Sequence, residues 1–250
     1  MKKALLIIGI ILVILTVSGL LLFLAASKAA APEIISNFID LDKIEKISKY
    51  RSCAGHVTVP KDARESKRSM KHYFSVKSEY LGNDTVPIHA PFDGIVATVR
   101  VDLAAGLEGE IWIVPNDKFA IVPPIGRWSF SVQHINVRDG LHRGNTVGAG
   151  ELIGYAAVGG GTRNTFDVVY AKGALFPKNI DNWNGPFIEL DSVFNFMSDK
   201  VFAEYQEKGL ESKNNLIINK EERDKNPCEY KDKGPYFIDQ YNLNNWVFLP

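Results

Sequence analysis

Side chains able to do chemistry gather in two stretches of this 250-residue chain. The first, Arg51-Ser-Cys-Ala-Gly-His56, precedes Arg68-Ser-Met-Lys-His-Tyr-Phe74 and so brings Cys53, His56 and His72 near one another in sequence. The second is His134 in Phe130-Ser-Val-Gln-His-Ile-Asn136. A thiolate and two imidazoles are zinc-ligand types, and a hydrolase built on them would use His56, His72 and His134 with Asp84 or Glu79. Cys-x-x-His spacing alone is a weak metal signal, because structural zinc takes four ligands. His134 also fits a hydrogen-bonded, groove-lining histidine or a general base. His89 in a strand and His142 in a glycine-flanked turn carry little chemistry singly. Cys53 and Cys228 are the 2 cysteines of the chain. An oxidising compartment would let them pair across a very long loop; the other readings are free buried thiols and a metal-bound Cys53.

The compartment follows from the amino-terminal residues. Lys2 and Lys3 precede an uncharged, mostly apolar run from Ala4 to Ala26. A bilayer core of roughly 30 Å needs about 20 helical residues, and this run reaches that length. Positive charge at its start predicts a signal anchor over residues 1–28 with everything after Lys28 outside the cytoplasm. The competing reading is a cleaved signal, with Ala29, Ala30 and Ala31 as the small-residue site.

The 29 basic and 29 acidic residues cancel, which leaves no one-signed field for nucleic acid. Arg64, Lys67, Arg68 and Lys71 form a local basic run, read as a solvated face or as a contact for anionic headgroups or wall polymers.

The elements that must position these residues are mainly strands. Residues 32–80 read as a helical and loop segment, with Leu41, Ile44 and Ile47 spaced as on an amphipathic helix from Pro32 to Tyr50. Residues 81–175 change to short β segments punctuated by Gly and Pro: Val86–Ala90, Ile95–Val101, Glu110–Val114, Trp128–Ile135 and Phe166–Ala171. Residues 176–250 read as a helical extension packed on that β domain, with Leu190, Val193, Phe194, Met197, Val201 and Tyr205 as its core stripe and Gly209 as its stop. The expected fold class is mainly β with peripheral helices.

Two segments, Val86-Pro-Ile-His-Ala-Pro-Phe-Asp-Gly-Ile-Val96 and Val147-Gly-Ala-Gly-Glu-Leu-Ile-Gly-Tyr155, resemble the barrel-sandwich hybrid fold and, with the His134 strand between them, the lysostaphin-type (M23) zinc peptidases. That resemblance implies a hybrid-like β core and a zinc ion held by a His, an Asp and the second His of a His-x-His strand. Here that strand reads Arg163-Asn-Thr-Phe166, and no intact His-x-x-x-Asp precedes the Ala-Pro strand. Thr, Arg and Ser do not replace imidazole on zinc. The chain therefore reads as a degenerate member without a cofactor: a membrane-anchored extracytoplasmic domain that binds a cell-envelope polymer or a partner protein in a groove bordered by His134, Arg163, Asn164 and Asp167. A zinc peptidase with a rearranged site and a structural envelope protein are the alternatives. The glycines Gly159 to Gly161 read as a loop over the groove.

Overall fold

A computed structural model describes residues 2–62, 64–82, 84–102, 107–120, 122–159, 164–180, 183–230 and 236–250. Helix α1, Lys2–Ser27, is the apolar run; its stretch Leu5–Ser27, 23 residues, is long and apolar enough to cross a membrane. After it come β1 (Ile44–Ser48), β2 (His72–Val76), β3 (Pro87–His89), β4 (Gly94–Asp102), β5 (Leu107–Pro115), β6 (Trp128–Val137), β7 (Thr146–Val147), β8 (Leu152–Ala156), β9 (Thr165–Ile180) and β10 (Trp183–Asp191). Helices α2 (Asp199–Glu207) and α3 (Lys220–Lys225) precede β11, Trp246–Phe248. The protein is mainly β, with few helices and an amino-terminal apolar helix.

All of these strands join one antiparallel sheet in the order β11-β1-β2-β9-β6-β5-β4-β7, with β10 on β9 and the β3–β8 pair on β6. One face collects the core. Phe38 sits among Phe74 and Phe130, at ring distances of 5.6 and 5.1 Å, while Phe74 stacks on Phe166. Alternation along a strand then sends the neighbours of these rings, Tyr73, Ser75 and Asp167, to the other face.

Residues 32–50 are not an amphipathic helix. Leu41–Lys43 is a single 3-10 turn and β1 follows. A bulge between Ile44 and Lys46 puts an extra residue opposite Ser75, so Ile44 and Ile47 reach the same face although three apart. Three-spacing was compatible with a helix and arises here from a bulged strand. The stripe from Leu190 to Tyr205 is buried throughout, but it runs through the end of β10, a 3-10 turn at Val193–Phe196 and α2, where Ser198 caps the helix by accepting from the Val201 amide.

Cys53 and Cys228 form a disulfide with Cα atoms 5.4 Å apart across 175 residues of sequence. In the chain-entropy model a loop of that length stabilises the fold by about 5 kcal/mol. The bond fastens the segment carrying His56 to the carboxy-terminal segment, where Phe237 donates its amide to the Gly55 carbonyl at 3.1 Å.

Candidate functional site

The polar face of the sheet has one row in which Tyr73, Asp167, Gln133 and Glu110 stand side by side on β2, β9, β6 and β5. Lys71, two residues before Tyr73, extends its side chain over that row and is almost wholly buried. Its ammonium pairs with the Asp167 carboxylate, donates to His56 Nε2 at 2.9 Å and donates to Gln133 Oε1 at 3.2 Å. Gln133 in turn donates to Glu110 Oε1 at 3.1 Å. The other oxygen of Asp167 lies 3.2 Å from His134 Nε2. One buried cation thus stands among a carboxylate, an imidazole and a carboxamide, with a second imidazole on the far side of the carboxylate.

Local structure explains how each side chain arrives. His56 follows Gly55, whose φ of +64° and contact with the Tyr73 hydroxyl leave no room for a Cβ. That hydroxyl accepts the His56 amide at 3.2 Å. His56 Nδ1 lies 3.1 Å from the Val57 carbonyl oxygen. A carbonyl only accepts, so the assigned tautomer carries its proton on Nδ1 and offers the Nε2 lone pair to the ammonium.

His134 has φ +64°, an uncommon conformation for a non-glycine residue. It is the extra residue where the β5–β6 register slips between Gly109 and Glu110, and where β6 leaves β9 at Gln133 to pair with β8 from Ile135. Gly109 permits the bulge, because a Cβ there would strike the Ile135 carbonyl oxygen. The bulge turns the His134 ring toward Asp167, and backbone strain held at a polar cluster is characteristic of functional positions.

Electrostatics follow from this packing. Burial opposes the charge on both Lys71 and Asp167, yet each sits beside the other's opposite charge; the Lys71 ammonium is held above its ordinary range and the Asp167 carboxyl below its own. Burial and the neighbouring ammonium push His56 down to about 3. Burial also lowers His134, against the pull of Asp167. The floor is therefore an ion pair flanked by neutral imidazoles at pH 7.

Above this floor opens a groove of about 530 Å³. His56 and His134 reach its base, and Asn164 lies at its side with Nδ2 3.4 Å from Ser75 Oγ. Tyr73, Tyr236, Tyr241 and Trp246 supply rings, and Lys46 lies 5.4 Å from the Trp246 ring centroid. Tyr241 is 83% exposed. No carboxylate lines the groove among the described residues.

The sequence-predicted residues are divided by this arrangement. His56, His134, Asn164 and Asp167 share the groove or its floor, Asp167 beneath it and fully buried. Arg163 and the Gly160–Gly161 part of the proposed loop lie outside the described residues. His72 does not meet His56. It points into the core, with Nδ1 2.7 Å from the Ser48 carbonyl oxygen, Nε2 2.8 Å from Ser192 Oγ and the Phe194 ring edge-on to it. Burial lowers it to about 4. Cys53 is in the disulfide, and Glu79 and Asp84 do not line the groove. Among the described residues no three His, Cys, Asp or Glu side chains are grouped to hold a metal ion.

The basic run is also rearranged. Arg64 and Lys67 are exposed, whereas Arg68 is fully buried against Glu65 and Asp224, and Lys71 against Asp167. Lys71, Tyr73 and Gln133 are site residues that the residue types alone did not single out. The available signal was alternation: Lys71, Tyr73 and Ser75 interleave with His72, Phe74 and Val76.

No family model matches the sequence, and no curated protein does. Solved structures similar to it include lysostaphin in solution, at 16% identity and a TM-score of 0.33 over 52% of this chain. Another is a putative glycyl-glycine endopeptidase, lytM, from Ruminococcus gnavus, at 13% identity and 0.32 over 61%. A third is the SpoIIQ–SpoIIIAH pore-forming complex, at 12% and 0.41 over 72% of this chain and 99% of that one. This chain spans 50% of the length of the lysostaphin chain and 59% of the endopeptidase.

Proposed function

We propose that this protein is a membrane-anchored, extracytoplasmic binding domain without peptidase activity, whose groove takes a cell-envelope polymer or a partner protein. The observation that carries the reading is Lys71. Its ammonium sits where a carboxylate and an imidazole lone pair converge, so the positive charge of that pit belongs to the chain itself. A zinc ion drawing on Asp167 and His56 would need the donors the ammonium already uses, and two cations about 3 to 4 Å apart in a poorly screened site repel by several kcal/mol. The residues as arranged do not fit zinc.

The groove suits binding instead. The exposed Tyr236 and Tyr241 phenols and the half-buried Trp246 indole provide contact area at low conformational cost, and neutral imidazoles with carboxamides and hydroxyls around them provide hydrogen bonds. With Lys2 and Lys3 at the cytoplasmic end of α1, the groove lies on the outer side of the membrane.

The test uses the detergent-solubilised full chain with purified peptidoglycan and with an extract of envelope proteins. Retention on either, weakened by Tyr241→Ala and unaffected by a chelator, is the expected result. Release of soluble peptides that a chelator abolishes would overturn the reading in favour of a rearranged zinc site.

A further inference from the structure

The connection between β5 and β6 includes Lys118-Phe-Ala-Ile-Val-Pro-Pro-Ile-Gly-Arg127, whose eight inner residues carry neither charge nor a hydrogen-bonding side chain. Connections between strands usually run over the surface, and polar turn residues dominate them. An apolar one calls for a cover. Part of that cover is α1: Phe119 and Val122 are buried with Ala26 in a small cluster on which Phe23 and Ala29 pack. A Cβ at Gly126 would stand 3.5 Å from Ser27 Cβ and 3.8 Å from the Phe23 ring.

The chain between helix and domain has no slack. Lys172 Nζ donates to the Ser27 carbonyl at 3.2 Å and the Tyr170 hydroxyl to the Pro32 carbonyl at 2.5 Å. Ile34 is already fully buried and bridged to Met197. The folded domain therefore meets the helix directly.

Length fixes the depth of that meeting. The 23 residues of Leu5–Ser27 extend about 34 Å, against a hydrocarbon core of roughly 30 Å. Centred in the bilayer, the span overshoots each side by about 2 Å, and Phe23, about 6 Å before Ser27, lies inside the hydrocarbon boundary. Whatever packs on Phe23 and Ala26 is at the level where acyl chains meet headgroups. Pro123 there is exposed and Pro124 and Ile125 are half-buried; Lys118 is exposed beside them, its Nζ 5.2 Å from the Phe119 ring centroid.

We propose that this connection is a wedge that seats the domain on the lipid surface beside the exit of α1, with Pro123, Pro124 and Ile125 in the acyl–headgroup boundary and Lys118 reaching the phosphates. The inference rests on α1 spanning the bilayer and is independent of what the groove binds. Its consequence is a groove held at a fixed height above the membrane instead of one swinging on a tether.

The experiment places the full chain in phosphatidylcholine–phosphatidylglycerol vesicles with and without brominated acyl chains, and compares wild type with Pro123→Trp and Ile125→Trp. The extra indole emission of both variants is expected to fall roughly twofold with the brominated lipid, as for a ring at the acyl boundary. Unquenched emission from either variant in chains that float with the vesicles after an alkaline wash would overturn the wedge while leaving the anchor intact. A blue-shifted but unquenched indole would overturn it too, since protein rather than lipid would then be the cover. Chains that fail to float would overturn the spanning reading and the wedge with it.

Discussion

Two neighbouring residues of one strand region, Lys71 and His72, live in opposite worlds. His72 faces the core, where a serine hydroxyl and a backbone carbonyl occupy both ring nitrogens and an aromatic edge closes the space. Lys71 faces the groove floor, where a carboxylate and an imidazole hold its charge. Both side chains are buried and both are polar, yet only the second is part of a cluster that reaches an open cavity. Residue type favoured the histidine as a ligand. The side of the strand decides which one stands at the groove floor.

The sharpest way to break this contrast is Lys71→Met, which leaves Asp167 charged and buried beside the uncharged side chain. A cost of about 3–5 kcal/mol is expected, measured by urea unfolding. Adding Asp167→Leu to the same chain is expected to recover most of it, because removing both partners removes the uncompensated charge. A loss in the double variant equal to the sum of the Lys71→Met and Asp167→Leu losses would show that the pair is not coupled.

His72→Leu is expected to cost less, about 1–3 kcal/mol, from the two partners left unsatisfied. It should also change the response to acid. The folded chain holds His72 near 4 and His56 near 3, against about 6.5 when unfolded. The unfolded chain therefore binds more protons between those values, so stability falls as pH drops from about 6.5 toward 4. His72→Leu should make that fall shallower between pH 7 and 4.5; an unchanged slope would remove His72 from the account.

At His134 the expectation turns on conformation. Val, β-branched, should cost about 1–2 kcal/mol at a φ of +64°. Asn tolerates that region and should stay within about 1 kcal/mol of wild type while losing the contact to Asp167. Crystal structures of both variants and thermal unfolding would separate strain from contact. The smallest effect on stability belongs to Tyr241→Ala, within about 0.5 kcal/mol because the ring is exposed; retention on envelope material should drop nonetheless.

Much of the sheet was legible because strands such as Trp128–Val137 are β-branched and aromatic and are punctuated by Gly and Pro. The misread helix over residues 32–50 has a plain physical cause. A bulge at Glu45–Lys46 inserts a residue into the alternation, so core residues Ile44 and Ile47 fall three apart and mimic a helix. The groove was half legible: the family resemblance pointed to His134, Asn164 and Asp167, of which the first two line the groove and the third lies buried beneath it. Lys71 was hidden in a basic run, since Asp167, the partner that makes its burial tolerable, is 96 residues away. No local pattern announces such a pair.

The most direct measurement of the central claim is the metal content of the full chain, solubilised in detergent and purified without chelator or affinity-tag histidines. With the Lys71 ammonium filling the pit, bound zinc should stay far below one per chain, and Lys71→Met should leave the His56 and Asp167 donors available to added zinc. About one zinc per wild-type chain, lost on His56→Ala, would meet the demands of a metal centre and contradict the account.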